Sequence, residues 1–174
     1  MIMDHKLKLM VVDDSPLFRT WLIRSLSEDD RFQVVGYAVN ALDAQEKIPL
    51  LQPDMLTLDI EMPGMSGIEF LKQLLPVHPI PVILVSSLNL RVFDALEAGA
   101  VDFVRKPDEA NGLSKEIFLS MLRSKLMVAA ASHVHLPSAP ADPQAGGIRK
   151  VSSLPPARNT FLQKPKIPLG ASPE

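Results

Sequence analysis

Asp13 and Asp14 stand together at the end of one short apolar run, Asp59 at the end of another, and Ser86 and Ser87 at the end of a third; Lys106 follows a fourth. Three carboxylates brought into one place repel, and each raises the others' pKa unless a cation sits among them. A hard divalent ion with oxygen ligands answers that need. Mg²⁺ fits best, because it accepts few protein ligands and keeps water positions for a phosphate donor. A lysine and a hydroxyl nearby would complete a cradle for a phosphoryl group. Taken singly, each residue has a plainer reading: an Asp after a strand is most often a turn former or helix cap, and Lys-Pro an exposed loop. What sets them apart is where the elements of the chain put them.

Apolar runs alternate with segments of helical period. LKLMVV (7–12) reads as a strand, and Ser15 with Pro16 as the N-cap and first residue of a helix reaching about Leu26, with Phe18, Leu22 and Leu26 on one face. FQVVGYA (32–38) is a second strand, followed by a helix over 41–51 that Pro49 is expected to end early. MLTLDI (55–60) is a third strand, and residues 67–75 a helix with Ile68, Leu71 and Leu75 inward. PVILVSS (81–87) is a fourth, with a short helix to about Ala98, and VDFV (101–104) a fifth. Residues 112–127 make a last helix, with Ile117, Met121 and Leu122 expected inward. Continuously apolar strands, each followed by a helix, predict an α/β fold with a parallel sheet covered on both faces. The expected architecture is a five-stranded doubly wound, flavodoxin-like sheet in the order 2-1-3-4-5, whose chemistry sits at the carboxyl ends of the strands. All the candidate residues fall on that edge.

Composition divides the chain near residue 128. The last 47 residues hold half of the 16 prolines, with five basic and two acidic side chains against 13 and 18 before them. HLPSAPADPQAGG has neither helical nor strand period and buries too little to offset its ordering, so 128–174 is expected to be a disordered, Pro-rich flexible linker. The net charge of −2 speaks against nucleic-acid or membrane binding through bulk electrostatics. With no cysteine, disulfides and thiolate metal sites are excluded. The N-terminal apolar run is too short for a signal peptide or a span, so a cytoplasmic protein is expected.

VVDDS, LDIEMPGMSG, VSS and the KP of VRKP resemble the motifs of response-regulator receiver domains, over residues 6–127. The resemblance implies that Asp59, the aspartate of a D-x-x-M-P-x-M-x-G pattern, accepts a phosphoryl group from a histidine kinase. It implies Mg²⁺ held by Asp14 directly and Asp13 mostly through water, together with Asp59 and the Glu61 backbone carbonyl. Ser86 would bond the phosphoryl oxygen after transfer. Lys106 would pair with Asp59 before transfer and with the phosphoryl group afterwards, and Phe103 takes the place of the family's switch aromatic. On that reading the chain catalyses only its own phosphorylation and dephosphorylation.

LTLDIEMPGMSGIEFL, VSSL and GAVDFVRKP resemble one branch more narrowly, the chemotaxis methylesterases of the CheB family. There a receiver and linker precede a domain that hydrolyses glutamyl methyl esters on chemoreceptors. No G-x-S-x-G-type nucleophile turn and no second βα series appear here, and neither the serine of LGAS nor His133 and His135 in the linker is assigned a role. The output domain is thus expected to be absent. Between VSSL and GAVDF the chain is shorter than the branch pattern by about one helical turn, at the start of the helix after strand four. The alternatives are a stand-alone receiver and the receiver of a transcriptional regulator. A small Mg²⁺-dependent phosphohydrolase is rejected, since Met62 and Pro63 follow Glu61 and Asp13-Asp14 has no place in it. Limited proteolysis is expected to cut first between about residues 130 and 170; a resistant tail would refute the linker.

Overall fold

The computed structural model describes residues 5–87 and 92–133. Within them run β1 (Leu7–Val12), α1 (Pro16–Ser27), β2 (Phe32–Ala38), α2 (Ala41–Leu51), β3 (Met55–Asp59), α3 (Gly67–Leu74), β4 (Val82–Ser86), α4 (Val92–Glu97), β5 (Asp102–Arg105) and α5 (Lys115–His133). A 3-10 turn over Glu109–Asn111 leads into α5. The strands pair in parallel in the order β2-β1-β3-β4-β5, as expected.

Strand periodicity divides the core into two layers. Met10, Val12, Leu56, Leu58, Val82 and Leu84 face one way, against Ala44 and Ile48 of α2 and Phe70 and Leu71 of α3. Leu9, Val11, Ile83, Val85 and Val104 face the other way, against Leu22 and Leu26 of α1 and Phe118, Leu122 and Leu126 of α5. Both faces are covered, so the strands need no polar alternation.

Several expectations are corrected. α2 runs through Pro49 to Leu51. The ring removes only the bond that residue 49 would donate to the Gln45 carbonyl, and both residues are exposed, so that carbonyl faces solvent. The helix stops where Gln52 turns left-handed at φ 46°, its N–H donating to the Ile48 carbonyl at 2.9 Å. In α3 the buried positions include Phe70 and Leu74, with Leu75 only half-buried. In α5, Ile117 and Met121 are not inward; they are 49% and 42% exposed, and the buried stripe is Phe118, Leu122, Leu126 and Ala129. That stripe carries α5 to His133, beyond the expected boundary at 127, and places His133 at a helix end. His135 and the remainder of 134–174 lie outside the described residues, as do residues 88–91, where the shortened segment falls. No helix among the described residues is long and apolar enough to cross a membrane.

The phase of α5 has a direct check by chemical denaturation. Leu122→Ala should cost about 2–5 kcal/mol, because it empties a closed site, whereas Met121→Ala should cost under about 1 kcal/mol. Equal losses would return Met121 to the core.

Candidate functional site

Strand register assembles the site. Val12 lies abreast of Leu58, so the next residues, Asp13 and Asp59, emerge side by side where the strand order reverses between β1 and β3. On the far side of β3, Ser86 pairs with Arg105, and the Lys106 N–H donates to the Ser86 carbonyl at 2.9 Å. The lysine thus leaves the sheet one residue beyond β5 and turns back over the aspartates.

Asp13 and Asp59 are each 2% exposed, while Asp14 is exposed at the mouth. One carboxylate oxygen from each of the three lies within 4.8 Å of the others. The Lys106 ammonium stands 2.8 Å from Oδ2 of both Asp13 and Asp59, and donates a hydrogen bond to the latter. Backbone N–H groups hold the other oxygens: Glu61 donates to Asp59 Oδ1 at 3.0 Å and Ser15 to Asp13 Oδ1 at 2.8 Å. Arg19 Nη1 donates to the Asp13 carbonyl at 2.8 Å. Asp13 and Asp59 are therefore each fixed at two points, one on backbone and one on the lysine.

Burial pushes the Asp59 carboxyl up to about 6; the hydrogen bond and charge of Lys106 oppose this and the neighbouring Asp13 charge adds to it. For Lys106, burial works against the charged form, but the two carboxylates outweigh it and its pKa is raised. At neutral pH Asp59 is an anion and Lys106 a cation, and the two form a buried ion pair.

The donor set suits a hard cation. It is all oxygen, and Asp13 Oδ2 is enclosed without accepting a hydrogen bond, its lysine neighbour at 2.8 Å being an ion pair only. A buried carboxylate oxygen left in that state has bonding capacity to spare, which a divalent ion takes up. Asp13, Asp14 and Asp59 are the residues that would hold it.

The remaining predicted residues fall around this centre. Ser86 is fully buried at the end of β4, beside the Lys106 backbone. Phe103 is half-buried on β5 and packs on the layer that contains α2 and α3. Glu61 exposes its side chain and touches Asp59 through its backbone N–H. Gly67 has a positional role that motif reading left unassigned. A Cβ there would lie 2.1 Å from the Asp59 carbonyl oxygen and 2.9 Å from Ile60 Cα, so any side chain would drive α3 off the end of β3. Its signal in the sequence is the final glycine of the D-x-x-M-P-x-M-x-G pattern. Ser66 caps the same helix in a reciprocal box with Glu69.

The family model described as response regulator receiver domain matches residues 9–118. The chain belongs to the response-regulator receiver domains. Within them it resembles the N-terminal regulatory domain of CheB: it is 37% identical to the response regulator domain of Thermotoga maritima CheB, with a TM-score of 0.67 over 73% of this chain and 98% of that one. Full-length relatives agree. The protein-glutamate methylesterase/protein-glutamine glutaminase 2 of Syntrophomonas wolfei is 46% identical over 130 residues, which are 75% of this chain and 38% of that protein. The corresponding methylesterase/glutaminase of Thiobacillus denitrificans is 37% identical over 172 residues, 96% of this chain and 47% of that protein. The chain therefore spans less than half the length of these two relatives.

The raised Asp59 pKa has a consequence for stability in the absence of divalent ions. The folded protein binds the Asp59 proton more tightly than the unfolded chain does. That contribution is complete below about pH 4 and is lost as pH rises through about 6. Asp59→Asn carries no charge at either pH. It should therefore be more stable than wild type by about 1–3 kcal/mol at pH 7.5, with the difference vanishing below about pH 4 in urea melts. Parallel curves across that range would remove the buried-charge penalty.

Proposed function

We propose that this chain is the phosphoacceptor of a two-component relay in chemotaxis, and that its phosphorylation at Asp59 controls a methylesterase output domain. The observation that carries the reading is the pairing of one buried, ionised aspartate with one half-buried ammonium, 2.8 Å apart, beside two further carboxylates. The phosphodonor is a phosphohistidine on a cytoplasmic histidine kinase. A carboxylate oxygen of Asp59 attacks phosphorus, the P–N bond to the donor imidazole breaks, and an acyl phosphate forms on Asp59. Asp59 needs no general base, since it is already an anion at neutral pH.

Lys106 is held where charge gathers on the transferred oxygens, and exchanges its contact with the carboxylate for one with the phosphoryl group. Asp13, Asp14, Asp59 and the Glu61 carbonyl would hold Mg²⁺, which when bound would neutralise negative charge on the phosphoryl oxygens and let the donor approach an acidic pocket. The Ser86 hydroxyl then bonds a phosphoryl oxygen, and Phe103 repacks beside it, biasing the surface formed by β5 and its neighbours toward one of two arrangements. The methylesterase part of the reading is supported by the relatives' names and by the likeness to the response regulator domain of Thermotoga maritima CheB. Through that domain the signal would reach the methyl esters of chemoreceptors.

With acetyl phosphate and Mg²⁺, intact-mass analysis should show one added phosphoryl group on wild type and none stable on Asp59→Asn. Equal labelling would displace Asp59 as the acceptor. Titration should find Mg²⁺ affinity at least about tenfold weaker in Asp14→Ala, and an unchanged curve would strike Asp14 from the ligands. Fused to the methylesterase portion of the Syntrophomonas wolfei relative, the chain should raise ester hydrolysis on phosphorylation; a rate indifferent to acetyl phosphate would sink the regulatory role.

A further inference from the structure

The Lys106 ammonium has a third neighbour that the acidic site does not account for. It lies 4.6 Å from the centroid of the Phe18 ring, within the range at which the negative face of an aromatic ring attracts a cation. We propose that Phe18 is a positioning residue for phosphoryl transfer: its ring holds the Lys106 ammonium against Asp13 and Asp59.

The ring is fixed from two directions. At its backbone, Asp13 Oδ1 accepts from the Ser15 N–H at 2.8 Å, and the Ser15 hydroxyl, capping α1, accepts from the Phe18 N–H at 3.5 Å. The carboxylate that pairs with Lys106 thereby also sets the helix turn that carries the ring. At its side chain, Phe18 meets Trp21 at 5.6 Å and Phe118 edge-on at 5.8 Å, and those two rings are 5.9 Å apart. Such a triangle of rings, shared between α1 and α5, restricts the orientation that Phe18 can take. A second ammonium, that of Lys115, lies over Trp21 at 5.4 Å. The aromatic cluster thus bears one cation at the site and another on α5.

A ring suits this position for a physical reason. The Lys106 side chain is only 14% exposed, so water supplies little of its solvation. Its ammonium has three hydrogens and, among the contacts described, two carboxylate oxygens. An aliphatic side chain would leave the remaining flank unsolvated and the long stem free to choose another rotamer. The face of Phe18 solvates that flank without offering a competing acceptor, which keeps the ammonium on Asp59, its hydrogen-bond acceptor, and on Asp13, its ion-pair partner.

The inference rests on Asp59 as the phosphoacceptor, and two readouts on the full chain keep the failures apart. In metal-free protein, the Lys106 ε-protons should be shifted upfield in NMR by the ring current of Phe18. That shift should disappear in Phe18→Leu and persist in Phe18→Tyr. With acetyl phosphate and Mg²⁺, Phe18→Leu should acquire label about 3–10-fold more slowly, and Phe18→Tyr within about twofold of wild type. Phenylalanines bearing one, two and three fluorines at position 18 keep the shape of the ring and weaken its negative face. A purely packing role predicts equal rates across that series, whereas the proposal requires a stepwise fall. Equal rates, or a Phe18→Leu protein that labels like wild type, overturn it. If wild type takes no label at all, the reading of Asp59 fails and the role of Phe18 in transfer falls with it, while the NMR shift reports separately whether the ring still holds the ammonium.

Discussion

Two aspartates, nearly sealed from water and emerging side by side from adjacent strands, set the terms for the rest of this molecule. Burying one carboxylate without a partner is costly, and burying two in contact is worse, because each disfavours ionisation of the other. A single ammonium, 2.8 Å from an oxygen of each, makes the arrangement possible. It does so incompletely. Burial still holds Asp59 near a pKa of 6, and an enclosed oxygen of Asp13 accepts no hydrogen bond. A cluster satisfied by its own side chains would have no use for a cation, and this one keeps acceptor capacity to spare.

Much of the surrounding structure serves to keep Lys106 and Asp59 in register. β5 pairs with β4 so that the lysine follows directly on the residue opposite Ser86, and its backbone N–H is bonded to the Ser86 carbonyl. Gly67 lets the start of α3 lie against the Asp59 backbone, closer than any side chain allows. The Asp13 carboxylate, Ser15 hydroxyl and Phe18 ring form a connected path from the acid cluster into α1, and the aromatic cluster extends it to α5. Asp59 is thus tied to the layer of α1 and α5 through Lys106 and Phe18, while Phe103 packs on the layer of α2 and α3. Closely packed elements of this kind respond by switching arrangement rather than by gradual deformation.

Membership of the receiver family follows from the matched region, and likeness to the CheB regulatory domain from both sequence and fold. The family relation explains why the acid cluster, the lysine and the buried serine occur together. It does not by itself explain Phe18, whose contact with Lys106 depends on the particular aromatic residues that this chain places on α1 and α5.

The parallel order of the strands and the gathering of Asp13, Asp14, Asp59, Ser86 and Lys106 on one edge were legible in the sequence. Continuous apolar runs ending in polar residues have few other solutions, and the short connections between elements leave few alternative topologies. Helical phase was not legible in α5. Ile117, Phe118, Leu119, Met121 and Leu122 crowd one stretch, so the local pattern admits more than one buried face, and contact with β1, β4 and β5 selects Phe118 and Leu122. Pro49 was misleading for the opposite reason: a rule about lost hydrogen bonds applies weakly where the freed carbonyl is exposed. The approach of α3 to Asp59 and the seating of Lys106 on Phe18 join segments far apart in the chain, through distances that only packing determines. The sequence by itself determined which residues carry the charge and which strands present them. The tertiary structure alone decided how deeply that charge is buried and which ring faces its counterion, because burial and orientation depend on neighbours that periodicity does not record.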